Sequence, residues 1–120
     1  MILCSHPTGN SNVRNALQAF CGADLLREFW TCLAWNSEWR VNGLLPKSFR
    51  AQLCRRAYAA NVLLVTRRRP WREVGRLISS ALHVRGLTRH EEGAFSVDSV
   101  YRDLDATVAR RLESLRDVSA

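Results

Sequence analysis

The first twenty residues constrain this chain most, because their hydrophobic pattern changes period once, across a turn. Met1-Ile2-Leu3-Cys4-Ser5 is a short apolar run ending at turn residues, as a buried parallel strand does. Pro7, Gly9 and Asn10 break the run. Val13, Ala16, Leu17, Phe20 and Cys21 then recur at helical spacing and form one apolar face. Asn10, Ser11 and Asn12 offer N-cap chemistry, and Gly22 suits a C-terminal stop. The expectation is strand, turn, helix.

A second strand is expected within Glu28–Trp35, where Phe29-Trp30-Thr31-Cys32-Leu33 is continuous and β-prone before Asn36 and Ser37. Strand, helix and strand over this length match a βαβ unit. Residues 36–45 read as a loop, with Trp39 its one conspicuous apolar residue. Pro46 opens a helix carrying Phe49, Leu53, Ala57 and Ala60 on one face. Val62-Leu63-Leu64-Val65 fits a short third strand or an extended connector equally well. Pro70 begins a helix that aligns Trp71, Val74, Leu77, Ile78, Ala81 and Leu82, and this register assigns Trp71 to the core. Residues 86–93 read as a polar loop. A last helix follows Ser96, with Val97, Val100, Tyr101, Leu104, Val108, Leu112 and Leu115 on its apolar face. The predicted class is α/β, an incomplete Rossmann-like layer of two or three parallel strands and about four helices. Several apolar stripes lack an obvious partner in so thin a sheet.

Composition narrows the classes of function. An apolar share of 47% and four tryptophans argue against disorder. The net charge is +7, and every basic residue but Lys47 is arginine. Arginine is a planar donor fork suited to phosphate and carboxylate, although a GC-rich genome also substitutes it for lysine. Cys4, Cys21, Cys32 and Cys54 form no C-x-x-C and lie in largely apolar runs, as small buried hydrophobes do. No signal segment or membrane-spanning run is visible, and a reducing cytoplasm fits the cysteine usage.

Chemistry is expected first at the turn. Ligands of open α/β sheets lie beyond the carboxyl ends of the strands, where helix N-termini present free N–H groups. Gly9 allows close backbone approach, while Ser5, His6, Thr8 and Asn10 supply donors and acceptors. The competing reading is a plain capped turn. Neither G-x-G-x-x-G nor the P-loop pattern is present. His6 has the chemistry of an acid–base or positioning group, whereas His83 and His90 read as surface residues without metal-like spacing. Arg67-Arg68-Arg69, Trp71 and Arg72, with Arg55-Arg56 upstream, form the densest basic patch and would suit nucleic acid. Arg72 and Arg76, flanking Glu73, read as a solvated face. Glu91-Glu92, Asp98, Asp103 and Asp105 give no positive sign of a paired-carboxylate site.

The stretch Ile2-Leu3-Cys4-Ser5-His6-Pro7-Thr8-Gly9-Asn10, then Asn12-Val13-Arg14 and Ala16-Leu17, resembles the start of a group of bacterial two-domain glycosyltransferases of the GT-B type. Phe29-Trp30-Thr31, Leu33-Ala34-Trp35, Arg55-Arg56-Ala57-Tyr58, Pro70-Trp71-Arg72-Glu73, Arg76-Leu77 and residues 100–112 follow in the same order. The resemblance implies an N-terminal, acceptor-side Rossmann-like domain spanning residues 1–120, with no metal as a rule and no cofactor of its own. A second, donor-binding domain would hold the nucleotide sugar. On that reading Ser5, His6, Thr8, Gly9 and Asn10 line the cleft floor and Arg14 faces a phosphate. No catalytic residue is assigned. The chain would be a truncated or partial enzyme, inactive alone. The other expectations are a basic helical module that binds nucleic acid, and a subunit that self-associates or pairs with a partner chain.

Overall fold

A computed structural model describes residues 1–36, 38, 40–83 and 93–115. Three parallel strands, β1 (Ile2–Ser5), β2 (Leu26–Thr31) and β3 (Thr66–Arg68), form one sheet in the order β1-β2-β3. Five α-helices are described with it: α1 (Ser11–Gly22), α2 (Lys47–Cys54), α3 (Ala60–Leu64), α4 (Pro70–Ala81) and α5 (Val97–Glu113). A 3₁₀ segment, Arg40–Leu44, precedes α2. The fold is α/β, as the strand–turn–helix opening implies.

Local chemistry sets the best-read boundaries. Asn10 Oδ1 accepts the Val13 amide at 2.9 Å and caps α1. Ser96 Oγ accepts the Ser99 amide at 3.2 Å and caps α5. The α1 terminus departs from expectation: Gly22 is still helical, and Asp24 adopts the left-handed conformation with φ 54°.

Each face of the sheet carries its own core. Ile2 pairs with Leu26 but Leu3 with Glu28, so Arg27 is the extra residue of an irregularity in register. Leu26 and Phe29 therefore share a face, packing with Leu17, Tyr58 and Val62 under α1 and α3. Leu3 and Trp30 face the other way, onto Val100, Leu104 and Val108 of α5. Glu28 shares that second face, where Arg111 Nη2 and Nε donate to its carboxylate at 2.6 and 3.1 Å and Trp30 Nε1 at 2.9 Å.

Two expectations are corrected. Val62-Leu63-Leu64-Val65 does not form the third strand, which follows it at Thr66–Arg68. The run makes the short α3, with Val62 in the core, Leu63 and Val65 partly buried against it and Leu64 88% exposed. Trp71 is not core. Glu73 and Leu77 turn inward from α4, leaving Trp71, Ile78 and Leu82 on the solvent side, with Trp71 79% exposed. Trp71→Ala is accordingly expected to change the unfolding free energy in a urea titration by no more than about 0.5 kcal/mol, a small change for a tryptophan.

Burial also separates the thiols. Cys32 is buried, and desolvation, followed by the charges of Glu73 and Asp103, pushes its pKa up to about 12. Cys54 is exposed. Because the thiolate is the nucleophile, Ellman's reagent is expected to titrate Cys54 in the native protein, and Cys32 only after unfolding.

Candidate functional site

The residue 6–10 turn lies beyond the carboxyl end of β1 and is anchored to β2 by its backbone. The His6 amide donates to Trp30 O at 3.0 Å, and Pro7 O accepts from the Cys32 amide at 3.2 Å and the Thr31 hydroxyl at 3.1 Å. His6 then folds the turn over itself, its Nδ1 accepting the Gly9 amide at 2.7 Å and the Thr8 amide at 3.3 Å. Nδ1 is thus an acceptor, and the ring proton belongs on Nε2. Gly9 completes the turn with φ 63°. A Cβ there would collide with the Tyr58 side chain, whose hydroxyl is buried without a hydrogen bond of standard geometry. Burial raises the Tyr58 pKa, partly opposed by the Thr31 hydroxyl and by Arg14 and Arg56.

A parallel bridge between Trp35 and Ala57 brings a distant segment against this turn. The Trp35 amide donates to Arg56 O at 2.9 Å, and the Tyr58 amide donates to Trp35 O at 3.4 Å. Arg14 Nη1 secures the same segment from α1 by donating to Arg55 O at 2.7 Å. Arg56 is thereby buried beside α4, where its Nη2 meets Glu73 Oε1 at 2.6 Å. Arg76 closes on the same carboxylate, Nε to Oε2 and Nη2 to Oε1, each at 2.8 Å.

Glu73 is therefore a buried carboxylate between two guanidinium groups. Desolvation pushes its pKa up, but the hydrogen bonds and charges of Arg76 and then Arg56 outweigh it and hold the group below the ordinary glutamate value of 4.5. It is permanently ionised near neutral pH, and its lone pairs are occupied by arginine donors.

An open cavity of about 610 Å³ lies on this assembly. Thr8 and Gly9 form its wall on the sheet side, Ser48 and Gln52 line it from α2, and Arg55, Arg56 and Arg76 supply its charge. A smaller space of about 140 Å³ shares Thr8 and Arg76 and runs toward Val97, Val100 and Tyr101 of α5. The cavity offers hydroxyls, an amide and guanidinium groups around a rigid turn. It suits binding of a polar anionic molecule.

Of the six residues expected at the site, Thr8 and Gly9 reach this cavity. His6 and Asn10 are committed to backbone hydrogen bonds, and Arg14 holds Arg55 O. Ser5 lines a separate apolar notch of about 210 Å³ with Cys4, Val13, Ala16 and Leu17. Ser48 and Gln52 carry no sequence signal, and Arg55 and Arg56, grouped by sequence with the Arg67–Arg72 basic patch, line this cavity instead. Arg76, read as solvated, instead makes the buried ion pair. His90, Glu91, Glu92 and Trp39 lie outside the described residues.

Among the described residues no group of three or more His, Cys, Asp or Glu side chains is placed to hold a metal ion. None of the described helices is long and apolar enough to cross a membrane. Compared with known proteins, the chain matches no family model, no curated protein and no solved structure.

Proposed function

We propose that this chain is the acceptor-side half of a sugar-transferring enzyme, holding a hydroxyl-rich acceptor in the cavity beside Gly9. One observation carries the reading. A parallel sheet directs a rigid glycine turn into the wall of an open cavity at its carboxyl edge, the position where α/β folds hold ligands. The order of residue groups along the chain, from Ser5-His6-Pro7-Thr8-Gly9-Asn10 onward, supports the GT-B assignment.

The residues at hand bind rather than react. Among the described residues Glu73 is the one carboxylate lining these two cavities, and its arginine partners leave it unfit to accept a proton near neutral pH. His6 uses Nδ1 to hold the turn. The nucleotide-sugar donor is held, in this reading, by a second Rossmann-like domain that these 120 residues do not supply. Saturation-transfer NMR with saccharides and nucleotide sugars tests the division of labour. Transfer to the saccharide acceptors alone is expected; tight binding of a nucleotide sugar by this chain overturns it.

The exposure of Trp71 favours a second reading, binding of single-stranded nucleic acid. Its indole stands free beside exposed Arg68 and Arg69, a stacking surface with cationic flanks. Against it, Arg69 and Arg72 lie 3.6 and 3.7 Å from the Asp103 carboxylate, which offsets their charge. A filter-binding titration decides, because affinity insensitive to salt excludes a phosphate-backbone contact.

A further inference from the structure

We infer that the acceptor taken by the Gly9 cavity carries a phosphate monoester; this deepens the acceptor-binding reading and rests on it. The argument begins with charge. Arg55, Arg56 and Arg76 line the cavity, and the carboxylate between them belongs to Glu73. Three guanidinium groups against one carboxylate leave two positive charges unmatched, and a phosphate monoester supplies nearly two negative charges at neutral pH.

Donor geometry agrees with charge. The Arg56 side chain is only 10% exposed, and its Nε remains buried without a hydrogen-bond partner after Nη1 has reached Gln52 O and Nη2 has reached Glu73. Each Nη already holds one acceptor, while Nε has none. The Arg55 guanidinium makes no ion pair among the described residues, and its carbonyl is held by Arg14. Thr8, Ser48 and Gln52 add side-chain donors at the same cavity. Forked guanidinium donors fit carboxylate and phosphate alike, and two unmatched charges with hydroxyl donors around them suit the dianionic, tetrahedral phosphate.

The buried triad also explains how cationic groups are kept at this wall. Glu73 fixes Arg56 and Arg76 through three hydrogen bonds of 2.6 to 2.8 Å. Their side-chain entropy is therefore lost on folding rather than on binding, which favours a tight anion site.

The test is calorimetric titration of the full chain with glucose 6-phosphate, glucose, inorganic phosphate and sulfate. The sugar phosphate is expected to bind at least about tenfold more tightly than glucose, since a charged hydrogen bond contributes more than a neutral one. Arg55→Gln should remove about tenfold of the sugar-phosphate affinity, a larger loss than any it causes in glucose binding. Arg55 is exposed and its side chain has no partner among the described residues, so this variant keeps its fold; an unchanged thermal midpoint verifies that. Equal affinity for glucose and glucose 6-phosphate overturns the phosphate assignment while the acceptor reading stands. Binding of phosphate and sulfate as tightly as the sugar phosphate, with no glucose binding, supports the anion site and overturns the acceptor reading. Failure of all four to bind overturns both.

Discussion

Glu73→Ala is expected to destabilise the protein by about 3–5 kcal/mol in a urea titration, because it leaves Arg56 and Arg76 facing each other without their shared carboxylate. That is a large part of the roughly 5–15 kcal/mol that holds a domain of this kind together. Glu73→Gln keeps the shape and loses the charge, so it should fall between alanine and wild type. Replacing all three members at once, as Arg56→Leu, Glu73→Leu and Arg76→Met, has a different expected outcome. Buried ion triads exchanged for apolar side chains of similar volume are often neutral in stability. If the triad serves ligand binding, this variant folds about as well as wild type yet loses anion binding.

The same residue sets an acid limit. The folded-state pKa of Glu73 is depressed, so its stabilising contribution is fully present above the unfolded value near 4.5 and is lost as pH falls through the folded value. Glu28 behaves in the same direction, held down first by the hydrogen bond from Arg111. Stability should therefore decline below about pH 4.5 in wild type, and less steeply in Glu73→Gln. Equal acid sensitivity in the two proteins would count against an ionised Glu73 in the native state.

How much of this was visible beforehand depends on the range of the interactions. The β1–α1 unit and the start of α5 were legible because Asn10 and Ser96 bond to amides three residues away. Val62–Val65, open between a strand and a connector, is neither, because an apolar run of four has no period to read and three of its residues pack on the core from a helical turn. The orientation of α4 was invisible for a physical reason. Its apolar residues define a core-like stripe, but Arg56, 17 positions upstream, draws Glu73 inward and turns part of that stripe to solvent. The site shows the same division. Residues 6–10 were legible as a turn, whereas the arginines that charge the cavity gather only after Trp35 pairs with Ala57. A long-range bridge leaves no local pattern.

Gly9→Ala should cost about 2–5 kcal/mol and abolish ligand binding, and its two causes are separable. The first is backbone: at φ 63° an alanine is strained by roughly 1–2 kcal/mol. The second is steric, because the new Cβ would overlap the Tyr58 hydroxyl and stand 2.8 Å from Cζ, an overpacking cost of about 1–3 kcal/mol. Tyr58→Phe removes the hydroxyl but not the ring carbons. Alone it should be close to neutral, since it deletes a buried hydroxyl that lacks a standard hydrogen bond. Combined with Gly9→Ala it should restore part of the loss, leaving the φ strain and the contact with Cζ. A double-mutant cycle read by urea denaturation gives the coupling, expected near 1 kcal/mol. Additive single effects would mean that the turn does not press on Tyr58. The cavity wall at Gly9 would then owe its shape to φ alone, and any β-carbon tolerated there would leave Thr8 where the ligand needs it.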